Sequence, residues 1–173
     1  MELVQSPLVP NFPYKTIWNP HVPPKINLFF WTASLSKIST QDSLQRRNFK
    51  LASRCPLCLS HCEFTEHLLL SCQFACKVWS LILPSHSSWI PPLSILQLAQ
   101  TWSSNTITGP AKLIWDLVPA AVLWEIWNER NTRIFQEKSQ SYFQDLMFNH
   151  RPIIEYMDSD SETPVMVDFL KPH

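Results

Sequence analysis

The sequence predicts a mainly α fold, a compact helical domain organised around one CCHC-type structural zinc site. Three observations carry this. Hydrophobic residues make up 45% of 173, including 8 Trp and 10 Phe, so a core can be buried and disorder of the whole chain is excluded. One Gly against 15 Pro leaves little material for tight hairpins, and turns fall to Pro, Ser and Asn. The stretch CPLCLSHCEFTEHLLLSC sets Cys55, Cys58, His67 and Cys72 at C-x2-C-x8-H-x4-C. Three thiolates and one imidazole form a closed tetrahedral set, structural rather than catalytic, and the spacing is more specific than a lone CxxC.

In chain order, residues 1–15 read as an irregular, proline-punctuated segment, and Ile17 and Trp18 are available to dock on a core. A first helix is expected from Pro23-Pro24 through PPKINLFFWTASLS, since the fixed φ of Pro suits a first turn. Ile26, Phe29, Phe30 and Ala33 give its inward stripe, widened by Trp31 and Leu35. Thr40 is placed to cap a second helix, TQDSLQRRNF, with Asp42 in the first turn, Leu44 inward and Arg46, Arg47 and Lys50 outward.

Thr65 is placed to cap a short helix carrying His67 to Leu70. His67 and Cys72 lie about 140° apart on a continuous α-helix, so the helix must break near Ser71 before both can reach one ion. Cys72 then opens CQFACKVWSLIL, a position where backbone N–H groups favour a thiolate. Pro84 ends that helix, and residues 85–92 read as a loop. Leu93 to Ser103 is a fourth helix. A long element from Ala111 to about Lys138 contains Pro119, which is expected to kink or split it. Its first half is apolar almost all round. Its second half reads as amphipathic, with Ile126, Trp127, Ile134 and Phe135 inward and its charges, Glu129 and Arg130 among them, outward. A last helix near 142–149 and an acidic, mobile tail complete the expectation, giving divisions at 1–15, 16–138 and 139–173.

The net charge is zero, so no overall attraction to polyanions follows. Its distribution is uneven: residues 37–54 hold five cations against one acid, and residues 155–173 hold five acids against one lysine. The basic run makes Arg46, Arg47, Lys50 and Arg54 candidates for phosphate contact; its bland reading is a solvated helix face. Five Cys and no secretory signal fit a reducing, intracellular setting, and the apolar run 113–127 falls short of a bilayer span. Cys62 and Cys76 are spare thiols near the proposed ligands. A redox role for Cys55 and Cys58 wants a strand–helix context that these surroundings do not offer. Catalysis is not expected: a single Gly rules out a Gly-rich phosphate loop, and no local arrangement singles out a nucleophile.

Three blocks carry a family resemblance: WNPHVPPKINLFFWTASLSKISTQDSLQRRNF, CPLC…TEHLLLSCQFACKVW and VLWEIWNERNTRIF. In this order they resemble the zinc-binding domain that follows the polymerase domain in plant LINE-type (non-LTR) retrotransposon reverse transcriptases, over about residues 16–137. The resemblance implies Cys55, Cys58, His67 and Cys72 as zinc ligands and a non-catalytic part in handling RNA or DNA, with no membrane or small-molecule partner. It also implies a detached piece of a larger reading frame; the alternative is a relic fragment, structural or protein-binding, with no nucleic-acid partner. The sequence departs in having Gln73 where the family often has Pro after the last ligand, and in lacking the segment ahead of WNPH. The metal is expected to organise Arg54 to Trp79 rather than the whole fold, its net −1 site offset by Arg54 and Lys77.

Overall fold

Among the described residues six α-helices and one π-helical turn build the fold, and no β-strand occurs. The computed structural model describes residues 12–83, 88–104 and 107–135. The expected helix at 142–149, the acidic tail, Pro84 and residues 136–138 lie outside the described residues.

A single turn, α1 (Tyr14–Ile17), breaks the expected irregular start and drives Ile17 fully into the core, while Trp18 stays exposed. The corner that follows is held by buried Asn27, whose amide donates to the Asn19 carbonyl (2.9 Å) and the Val22 carbonyl (3.3 Å). Helix α2 (Pro24–Ser34) begins where the prolines predict, and Ile26, Phe29, Phe30 and Ala33 are buried. Trp31 and Leu35 do not widen that stripe. Both are exposed, because they project with Leu28 from the opposite side of the helix, where the Trp31 ring lies 6.2 Å from that of Trp18.

Helix α3 (Gln41–Gln45) is half the expected length. Asn48 takes a left-handed φ of 68°, which no α-helix can continue through, and Asn tolerates this conformation better than most residues. Thr40 is its N-cap residue, but its hydroxyl bonds the Asp42 carboxylate rather than a backbone N–H. The one Gly, Gly109, is left-handed (φ 72°), and the other left-handed positions among the described residues are Ser36, Asn48 and Leu59; Ser36 and Asn48 are turn residues of the expected kind.

Helix α4 (Gln73–Ile82) and helix α5 (Ile95–Ser103) complete the middle of the chain. The Ser94 hydroxyl accepts the Gln97 N–H at 3.1 Å and caps α5. The long helix α6 (Pro110–Phe135) runs through Pro119 without splitting. A proline cannot donate to the carbonyl four residues back, here that of Trp115. The Trp102 indole N–H takes that place at 2.8 Å, and the Trp102 and Trp115 rings stack at 4.4 Å. The usual penalty for an interior proline is thereby offset by a neighbouring helix.

Phe29 of α2 packs on Trp124 and Trp127 of α6, and Lys25 lies over the Trp124 ring. Beyond the end of α2, the Ser39 carbonyl accepts from Arg130 of α6 at 3.2 Å. Of the residues expected inward on the last turns of α6, Ile126 is buried, but Phe135 is 76% exposed. Glu129 and Arg130, expected outward, are buried. That reversal shapes the candidate site.

Candidate metal centre

Cys55, Leu57 and Cys58 lie on a tight knuckle between α3 and the π-helical turn. The Cys55 N–H donates to the His61 carbonyl (2.7 Å) and the Leu59 N–H to the Cys55 carbonyl (2.9 Å), folding the loop back on itself. Left-handed Leu59 makes the reversal possible. The amide N–H groups of Leu57 and Cys58 face the Cys55 sulfur, as a two-residue spacing between thiols allows.

His67 opens a π-helical turn, His67–Ser71, closed by the Cys72 N–H donating to the His67 carbonyl at 2.6 Å. Widening the turn by one residue carries Cys72 back to the side of His67, and such π-turns concentrate at functional sites. The chain then breaks at Cys72 (φ −58°, ψ 140°), the residue that begins α4. The expected break is therefore present one residue later than Ser71, and its local form is a π-turn. Leu68, Leu69 and Leu70 are all fully buried, and indole groups satisfy the carbonyls of the turn. Trp79 donates to Leu69 at 2.9 Å and Trp89 to Leu70 at 3.1 Å.

The four donor atoms of Cys55, Cys58, His67 and Cys72 lie within 4.8 Å of one another. The Cys55 and Cys72 sulfurs are 3.9 Å apart, and the Cys58 sulfur is 3.4 Å from His67 Nε2. Tetrahedral zinc with bonds of about 2.3 Å to sulfur and 2.0–2.1 Å to nitrogen sets donor separations of about 3.8 Å and about 3.6 Å respectively. The cluster therefore fits one structural zinc ion. Cys62 is exposed and Cys76 turns its sulfur toward the Leu70 carbonyl (3.5 Å), so both spare thiols stand outside the cluster. None of the five cysteines is disulfide-bonded.

The electrostatics suit a metal. The hydrogen bond between the Cys55 and Cys72 sulfurs pushes Cys55 well above the usual thiol range, and burial adds to it. The same bond holds Cys72 below that range, helped by the N–H groups of Phe74 and Ala75 at the start of α4. A divalent ion binds both sulfurs as thiolates and would displace the protons they carry. Burial, with the nearby His61, lowers His67 and keeps its imidazole neutral, the form that ligates. His61, which sequence reasoning passed over, sits with its ring 5.3 Å from that of His67 and its Nδ1 4.0 Å from the Cys58 sulfur.

Sequence reasoning also missed the support behind the loop. Glu63, with none of its surface exposed, receives Arg130 of α6 as a two-pronged ion pair: Nε to Oε1 at 2.7 Å and Nη2 to Oε2 at 3.0 Å. The Gln41 N–H adds a third bond to Glu63 at 2.9 Å, and Arg130 reaches the Ser39 carbonyl and lies over Trp127. One turn on, Arg133 is held by Glu129 (2.7 Å), lies over Phe74, and donates to the Leu57 carbonyl at 3.1 Å in the knuckle itself. Of the cations expected to offset the site, Arg54 does reach the knuckle, at the Leu59 carbonyl, while Lys77 is exposed; Arg133 makes the further contact.

The four basic candidates Arg46, Arg47, Lys50 and Arg54 are all exposed. Arg46 pairs with Asp42 at 3.0 Å, and Arg54 also donates its N–H to Gln41.

Residues 2–79 match the family model described as zinc-binding in reverse transcriptase. The match contains all four donors and begins ahead of the WNPH block, where the sequence suggested no counterpart; it stops at Trp79, so α5 and α6 lie beyond it. Comparison with curated proteins and with solved structures returns no significant match. No helix among the described residues is long and apolar enough to cross a membrane.

Proposed function

We propose that this chain is a non-catalytic, intracellular nucleic-acid-binding module of a LINE-type retrotransposon reverse transcriptase from a plant. One zinc held by Cys55, Cys58, His67 and Cys72 fixes the knuckle, and the basic run beside it contacts RNA or DNA phosphates. The working unit on this reading is 16–138, within which the C-terminal half of α6 braces the zinc loop. The observation that carries the reading is the juxtaposition of a zinc-ready knuckle with four exposed cations, within a stretch similar to a reverse-transcriptase zinc-binding family. Phosphate contacts of this kind release counterions and weaken with salt.

The test is binding of labelled RNA and DNA strands across a salt series. Arg46→Ala with Arg47→Ala should weaken binding and reduce the salt slope by about 0.7 to about 1.4, the loss of one to two phosphate contacts. Unchanged binding in the double variant refutes phosphate contact by this run.

A second reading is favoured by one feature. Leu28, Trp31 and Leu35 form an exposed stripe on α2 with Trp18 beside it, the kind of surface another protein segment covers. On that reading the chain is a structural or protein-binding fragment, and it would not retain nucleic acid near physiological salt.

A further inference from the structure

Around the knuckle the molecule exposes large apolar side chains beside its cations. Phe49 is 57% exposed, Leu51 43%, Leu59 56% and Phe64 42%. Single exposed apolar residues need no explanation. These four fall within the stretch 49–64, on segments laced together by polar bonds. Gln45 Nε2 donates to the Leu51 carbonyl at 2.7 Å, Arg54 N–H to Gln41 Oε1 at 3.0 Å, and Gln41 N–H to Glu63 Oε2 at 2.9 Å. Phe64 leans on the zinc site, its ring 5.7 Å from that of His67, and its outward side is open. Phe49 follows directly on the left-handed Asn48 and stands between Arg47 and Lys50.

Exposed rings among exposed cations are what a strand with unpaired bases requires. Bases in a duplex are stacked on one another and offer no face to a protein ring, whereas unpaired bases stack on aromatic side chains without regard to sequence. Cations alone would hold duplex and single strand alike. We propose that this face binds single-stranded nucleic acid, with Phe49 and Phe64 stacking on bases and Arg47, Lys50 and Arg54 holding the phosphates between them. This inference rests on the nucleic-acid reading above and narrows it to strands with exposed bases.

The experiment measures fluorescence anisotropy of the zinc-loaded full chain with three labelled probes at one salt concentration. They are an oligothymidylate of about 12 nucleotides, a strand of equal length made of abasic sites, and a duplex of equal length. Two stacked bases should make the oligothymidylate bind about a hundredfold tighter than the abasic strand, and tighter than the duplex. Phe49→Ala with Phe64→Ala should erase that preference, leaving the affinity for the abasic strand unchanged, while Phe49→Trp with Phe64→Trp should keep it. Equal binding of the thymidylate and abasic strands by the wild-type chain overturns stacking even if no variant folds. In that case the phosphate reading survives. Binding of none of the three probes overturns both.

Discussion

Replacing Arg130 with alanine should destabilise the domain far more than its place on a charged helix face suggests. The side chains of Arg130 and Glu63 are 4% and 0% exposed, so the pair is removed from water. In Arg130→Ala the Glu63 carboxylate keeps only the Gln41 N–H and loses both guanidinium bonds, and the Ser39 carbonyl loses its donor. Breaking one side of a buried pair costs about 3–5 kcal/mol. Against a total of about 5–15 kcal/mol for a domain, that is a large fraction. Removing both charges avoids the orphaned carboxylate, so Glu63→Leu with Arg130→Met should lie much nearer the wild type than either single variant. Urea unfolding of the zinc-loaded chain, followed by tryptophan fluorescence, measures the wild type and each of these variants. A loss below about 1 kcal/mol in Arg130→Ala, or a double variant weaker than the single, refutes the assignment of Arg130 and Glu63 as a buried, loop-holding pair.

Two further predictions follow from single contacts. Trp102→Phe removes the N–H that serves the Trp115 carbonyl and should cost about 1–3 kcal/mol. Adding Pro119→Ala returns a backbone donor to that carbonyl and should recover part of the loss; no recovery in thermal melts would show the indole contact to be incidental. Burial raises Glu125 to about 6 from 4.5. Its protonated form is favoured in the folded state, so its contribution is fully present below pH 4.5 and is lost as pH rises through about 6. Glu125→Gln should therefore be more stable than wild type by about 2 kcal/mol above pH 6, with the gap closing on acidification. A gap constant with pH would contradict this.

The donor set was legible because it is local: ligands close in sequence, a two-residue knuckle, and a helix that had to break between His67 and Cys72. The start of α2 at its prolines and the inward set Ile26, Phe29, Phe30 and Ala33 followed from rules that operate within one or two turns. What escaped the sequence was set by distant partners. Arg130 looks like a solvated charge until Glu63, 67 residues earlier, is brought against it. Pro119 looks like a helix breaker until Trp102 supplies the missing donor. The over-long reading of α3 ignored the ease with which Asn48 leaves the helical region. Trp31 was assigned inward on hydrophobicity alone, which does not say which side of a helix finds a neighbour. Phe49 and Phe64 attracted no attention for the opposite reason, since neither lies on a helical stripe.

The most direct test of the account is the metal content of the purified chain by plasma mass spectrometry, measured on wild type and on His67→Ala. One zinc per wild-type chain, lost or greatly reduced in His67→Ala while the far-ultraviolet helical signal persists, is the predicted result. A folded wild-type chain without zinc, or His67→Ala retaining one zinc as tightly as wild type, would contradict it.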